Sequence, residues 1–239
     1  RKLAQDRVPA DAMRLSDADE SAVNLAMSGI AGLTKQAFDR YTAWRKVAGG
    51  CLAIVGWEGP ADMVKARRAH AHKVFGQFGG VGLGAGVGRS WEKNRFAAPY
   101  LRDDLLDAGY LVETLETANE WSQLDATYDA VHAALRGALG EPLIGTHLSH
   151  IYPTGASLYF TVITPLAGDP VAQWRAAKMA ATQALVDTDA TITHHHSVGR
   201  AHAPWLPAEI GESGMDLLRA IKSHLDPDGL MNPGVLGLG

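Results

Sequence analysis

Between Tyr110 and Thr193 the chain alternates short runs of β-type residues with longer amphipathic ones, in the order strand, helix, strand, strand, helix, strand. No other feature of the sequence restricts the fold as much. Tyr110 to Thr117 (YLVETLET) alternates as a half-buried strand does. Ser122 with Asp125 has the spacing of a capping box, and behind it Leu124, Tyr128, Val131, Leu135 and Leu139 form a stripe of helical period. Residues 142–152 and 157–165 are strand-like and are joined through Pro153-Thr154-Gly155, a hairpin signal. Val171, Trp174, Ala181 and Leu185 place a second helix, and 188–193 reads as a last short strand. This is the order of a split βαβ, or ferredoxin-like, unit. It predicts an α+β fold: a ferredoxin-like antiparallel sheet with helices on one face.

Upstream, residues 1–33 read as a helical start and a connection of no clear period. Phe38, Tyr41 and Trp44 recur at three-residue steps and predict a helix from Thr34 that stops before Gly49-Gly50. Residues 51–57 (CLAIVGW) read as a strand, and 61–78 as a helix with Met63, Val74 and Phe78 on its apolar side. Lys65, Arg67, Arg68, His70, His72 and Lys73 give that helix a basic face, for which a solvated surface is the simpler reading than a binding site. The glycine-rich stretch 79–88 lacks a Gly-Lys-Ser/Thr ending and follows a helix, so it reads as a strand with a close backbone approach, not a phosphate loop. Residues 90–107 predict a broken helix that restarts at Pro99. A final helix spans 206–225, followed by an extended apolar tail. The expected organisation is an N-terminal helical connection (1–50), an α+β cap or substrate domain (51–205) and a C-terminal helix and tail (206–239).

A formal net charge of −4 argues against a general nucleic-acid binder. Cys51 is the only cysteine, so no internal disulfide can form, which fits a reducing, cytoplasmic setting. No apolar run approaches the ~20 residues of a membrane-spanning helix. The chain begins with Arg1 rather than Met and shows no signal-peptide pattern, which reads as a piece of a longer protein whose N-terminal partner is missing.

The stretch richest in chemistry is Thr193-His194-His195-His196-Ser197-Val198-Gly199-Arg200. Three readings of its histidines stay open: a structural metal site, surface imidazoles without a role, and proton-handling or cofactor-facing side chains. Imidazoles suit Zn, Fe or Cu. On a strand, however, adjacent residues face opposite ways, so at most two of the three rings would converge, and no Cys, Asp or Glu accompanies them. Proton handling fits best, since imidazole titrates near neutral pH. Tyr152 follows His150 by two residues, which puts both on one strand face if the strand is regular; taken alone, such a tyrosine is more often packing than catalysis. Arg102, beside Asp103, is by itself a surface ion pair, and its guanidinium fork also suits a carboxylate or phosphate.

Taken together, HHHSVG (194–199), LDPDGLMNPG (225–234), PYLRDDLLDAGYLVETLETANEW (99–121) and SHIYPTGASLYF (149–160) resemble the C-terminal region of FAD-linked oxidases of the vanillyl-alcohol-oxidase type. Within that superfamily they are most similar to the alkyldihydroxyacetonephosphate synthase group. The 2-hydroxy-acid dehydrogenase branch carries a metal-binding His pair where this chain has His150 and Leu158, and Gly-Glu-His-Gly where it has His194-His195-His196-Ser197. The resemblance implies no metal. It implies FAD, held mostly by a preceding domain, with His194 and Asn232 contributing to the cofactor site. Tyr152 would take a proton from dihydroxyacetone phosphate, with His195 and His196 polarising Tyr152 or the substrate oxygens, and Arg102 and His194 would bind the substrate. The substrate would be small and anionic or lipid-like, the flavin being used without net oxidation. A flavin-dependent oxidase of a hydroxylated substrate, and a non-enzymatic ligand- or metal-binding module, are the alternatives. The resemblance leaves room for a homodimer and for peripheral membrane contact.

Overall fold

The computed structural model describes residues 1–8, 10–96 and 98–238, with the side chains of 98 and 99 excepted. In chain order the elements are α1 (Lys2–Gln5), β1 (Ala12–Ser16), α2 (Ala18–Met27), α3 (Gly32–Trp44), β2 (Leu52–Gly56), α4 (Ala61–Gln77), α5 (Ala85–Asn94) and α6 (Ala98–Asp107). Then follow β3 (Tyr110–Glu120), α7 (Leu124–Leu139), β4 (Leu143–Ile151), β5 (Gly155–Pro165), α8 (Pro170–Asp187) and α9 (Leu206–Leu225), which is kinked at Gly211. The five strands form one antiparallel sheet in the order β2-β1-β4-β5-β3.

The alternation of β3 and β5 decides which face is covered. Leu115 lies opposite Phe160 and Thr117 opposite Leu158, while Ile144 of β4 lies opposite Val162. These side chains, with Phe160 and Val162 fully buried, meet Val131 and Leu135 of α7 and Ala181 and Leu185 of α8. The small residues Ala177, Ala181 and Ala184 let α8 lie close to the sheet. Burying Phe160 and its neighbours contributes roughly 1.5–3 kcal/mol per large apolar side chain. The expected α+β architecture, helices on one face of an antiparallel sheet, is what the chain adopts.

Several elements depart from the sequence reading. Residues 12–16 are not part of a helical connection but a strand, whose register against β4 puts Leu15 opposite Leu148 and Ser16 opposite His147. Residues 188–193 form no regular strand, yet they occupy its place: Thr191 N–H donates to Ala118 O (3.1 Å) and His194 N–H to Glu116 O (3.0 Å), antiparallel to β3. The glycine stretch becomes helix from Ala85. The expected close approach is present at Gly80, where an added Cβ would lie 3.0 Å from Phe75 O. On α4, Ala71 and Val74 are buried, whereas Met63 and Phe78 are exposed. The capping box is absent, since α7 starts after Gln123 without a side-chain cap. The tail also folds back: Leu236 N–H donates to Val198 O (3.0 Å), and Leu238 is buried with Ile192, Leu206 and Met215. Among the described residues no helix is long and apolar enough to cross a membrane.

Candidate functional site

The sheet face turned away from α7 and α8 carries a polar row. Glu116, Tyr159 and His147 are direct neighbours across β3, β5 and β4. A β-bulge between Leu148 and Ile151 inserts one extra residue into β4, so His150, three residues after His147, returns to the same face. Ser157 braces the bulge: its hydroxyl accepts from His150 N–H (3.1 Å) and lies 3.0 Å from Ser149 Oγ.

The histidine run reaches this face from beyond the edge of β3. His195 and Ser197 have left-handed backbone (φ 63° and 64°), which L residues rarely adopt and which holds conformational strain. Strand alternation therefore does not apply here, and the expectation that it would part the three rings fails. All three histidines turn toward the polar row. His194 Nδ1 lies 3.2 Å and His196 Nε2 3.3 Å from the Glu116 carboxylate, with His150 Nε2 at 3.8 Å. The His194 and His195 rings are 4.1 Å apart, and His150 and His195 4.4 Å. Tyr152 Oη is 3.1 Å from His194 Nε2. The His196 ring stands edge-on to Tyr159.

Glu116 is the hub of this cluster and is 5% exposed, whereas Tyr152 is 40% exposed and His150, His195 and His196 are open to solvent. Burial holds the His150 imidazole below its usual pKa against the pull of the Glu116 charge, and the neighbouring His195 and His194 add to the lowering. Ring nitrogens of His150, His194 and His195 lie within 4.8 Å of one another, a grouping whose chemistry can take a metal ion.

A second layer ties the row to the N-terminal strand. His147 stacks on Tyr159 (4.9 Å between centroids), and its Nδ1 lies 2.8 Å from Glu20, which Arg14 of β1 also pairs at 2.8 Å. Burial raises the Glu20 pKa, but the His147 hydrogen bond and the charges of His147 and Arg14 outweigh it and leave the carboxyl below its ordinary value. At the other end His202 is buried, and burial with the Lys178 charge lowers its imidazole to about 4. Arg200 donates twice to Pro233 O (3.0 and 2.8 Å), which fixes the tail against the end of the histidine run.

The sequence-predicted residues thus separate into two sets. Tyr152, His194, His195 and His196 come together. Arg102 lies exposed on α6, and Asn232 lies exposed in the tail, its carbonyl accepting from Val235 N–H; among the described residues neither bonds to the cluster. Glu116, His147, Tyr159 and Glu20 are additions. Glu116 had one signal, a carboxylate in mid-strand between Leu115 and Thr117, both core residues. A cavity of about 1420 Å³ lies elsewhere, between α2, α3, β2, α4 and α5, and is lined by Leu25, Phe38, Ile54, Phe75 and Leu83 among others.

The face thus brings together a phenol, four imidazoles and a buried carboxylate, a set of groups able to donate, accept and carry protons. The chain belongs to the FAD linked oxidases, C-terminal domain family, whose model matches residues 1–236. It is 30% identical to an alkyldihydroxyacetonephosphate synthase of Trypanosoma brucei brucei over 94% of this chain and 38% of that protein. A solved structure of an alkyldihydroxyacetonephosphate synthase superimposes with a TM-score of 0.69 at 22% identity, covering 97% of this chain and 40% of that one. The 4-ethylphenol oxidase from Gulosibacter chungangensis shares the fold at 12% identity, with a TM-score of 0.68 over 99% of this chain and 49% of that one. The chain therefore spans less than half of the proteins it resembles.

Proposed function

We propose that this chain is the substrate domain of an FAD-dependent, alkyldihydroxyacetonephosphate synthase-like enzyme, exchanging the acyl group of an acylated dihydroxyacetone phosphate for a long-chain alcohol. The observation that carries the reading is the Tyr152–His194 hydrogen bond on an exposed face. A phenol is a weak acid, with a pKa of about 10 in water, so a tyrosine base needs a neighbouring group to take its proton. His194 is that neighbour. Tyr152 removes a proton from the substrate carbon, and His195 and His196, open to solvent on the same face, donate to substrate oxygens. Arg102 binds the anionic group of the substrate, and Asn232 approaches the cofactor, once the flavin-binding half is in place. Bound FAD supplies the electron-accepting ring. The cavity bordered by α3 and α5, whose lining mixes Leu25, Phe38, Ile54, Phe75 and Leu83 with charged residues such as Lys35 and Arg68, has room for an alkyl chain and so supports a lipid-like substrate.

FAD-loaded full-length protein, given acylated dihydroxyacetone phosphate and a long-chain alcohol, is expected to release one fatty acid for each ether formed, without oxygen uptake. Oxygen uptake with an oxidised substrate and no ether would favour the second reading, a flavin-dependent oxidase of a hydroxylated compound.

A further inference from the structure

We infer that Glu116 is the positioning residue of a Tyr152–His194–Glu116 relay, holding His194 in the tautomer whose free Nε2 accepts the proton of Tyr152. The inference rests on the reading of Tyr152 as a base and adds the residue behind it.

Glu116 Oε1 lies 3.2 Å from His194 Nδ1, and Tyr152 Oη lies 3.1 Å from Nε2 of the same ring. A carboxylate accepts hydrogen bonds and donates none, so Nδ1 must carry the proton in that contact. A neutral imidazole then has its lone pair on Nε2, facing the phenol. The main chain reinforces the orientation, because His194 N–H also donates to the Glu116 carbonyl (3.0 Å). Glu116 sits in mid-strand, buried, in register with Tyr159, so it cannot move away from the ring. A carboxylate so placed also stabilises the imidazolium that forms when the phenol gives up its proton. The protons balance: the phenolic proton passes to His194 Nε2, the substrate proton replaces it on Tyr152, and the electron pair left on the substrate carbon passes into the adjacent carbonyl. His196 and His150, at 3.3 and 3.8 Å, share the same carboxylate. Glu116 therefore gathers His150, His194 and His196 around one carboxylate, although it touches no substrate.

The test uses FAD-loaded full-length protein. Glu116→Gln is expected to lower kcat about 100-fold while KM stays within about twofold. Glu116→Asp, which keeps the charge at a longer reach, should recover part of the loss. A purely structural role would instead cost flavin content or raise KM with kcat retained, and either result overturns the relay. A second readout needs no substrate. Histidine-15N-labelled protein, with His194→Gln for assignment, should show His194 protonated at Nδ1; protonation at Nε2 overturns the relay. Should Glu116→Gln not fold, this tautomer and the Glu116→Asp kinetics decide the matter. Tyr152→Phe run in parallel separates the two claims. Normal turnover there removes Tyr152 as the base, whereas its loss alongside normal turnover in Glu116→Gln removes only the relay.

Discussion

Full-length protein carrying Tyr152→Phe is expected to bind FAD normally and to lose at least about 100-fold in turnover, the low end of what a general base supplies. The substitution removes one oxygen. Tyr152 is 40% exposed, and the contact it loses is the hydrogen bond to His194, so its effect on folding should be small. Thermal melting and flavin absorbance check that point, and steady-state assay of ether formation checks the loss. Turnover within a few-fold of wild type would remove Tyr152 from the chemistry and shift the role of base to the histidines beside it.

The second large effect is structural and reaches the same tyrosine. A Cβ added at Gly155 would collide with the Asn119 carbonyl oxygen, with Glu120 Cα a further 3.1 Å neighbour. The demand for glycine here is a close approach of backbones, since the residue does not lie in the left-handed region. Gly155 pairs with Glu120 at the end of β3, and its carbonyl accepts from Tyr152 N–H at 2.8 Å. Nearby, Trp121 Nε1 donates to the carbonyls of Tyr152 and Pro153 and so fastens the turn. Gly155→Ala must therefore push β5 away from β3 or twist the turn. We expect about 3 kcal/mol of destabilisation, a melting temperature lower by roughly 6–12 °C, and misplacement of Tyr152 in what remains folded. Unchanged melting would show that the hairpin relaxes easily and that Tyr152 is not held by this turn.

The order of elements between 110 and 187 was legible because each buries one side and its apolar residues recur at one period. The stripe Leu124, Val131, Leu135 and the alternation of β5 are direct readings of burial. β1 was not legible, because Arg14 interrupts a five-residue run and its second partner, β4, lies some 130 residues further along the chain. The arrangement of the histidines was hidden for a different reason. Nothing in three identical side chains announces left-handed backbone at His195 and Ser197; the carboxylate of Glu116, far away in sequence, gives those residues something to turn toward. The bulge that brings His150 beside them is equally non-local, being defined by the register of β4 against β5. Tyr152 and the histidines were nameable from the sequence, whereas the carboxylate that organises them was not.

We propose that the exposed face carrying Tyr152 and the histidine run is the face that meets the flavin. Imidazole acylation by diethylpyrocarbonate, read residue by residue by mass spectrometry on full-length protein with and without FAD, tests it most directly. His195 and His196, both exposed on this chain, should react readily without the cofactor and be strongly protected with it, while His70 on α4 reacts alike in both. Equal labelling of His195 and His196 in the two states would place the flavin on another face of the chain.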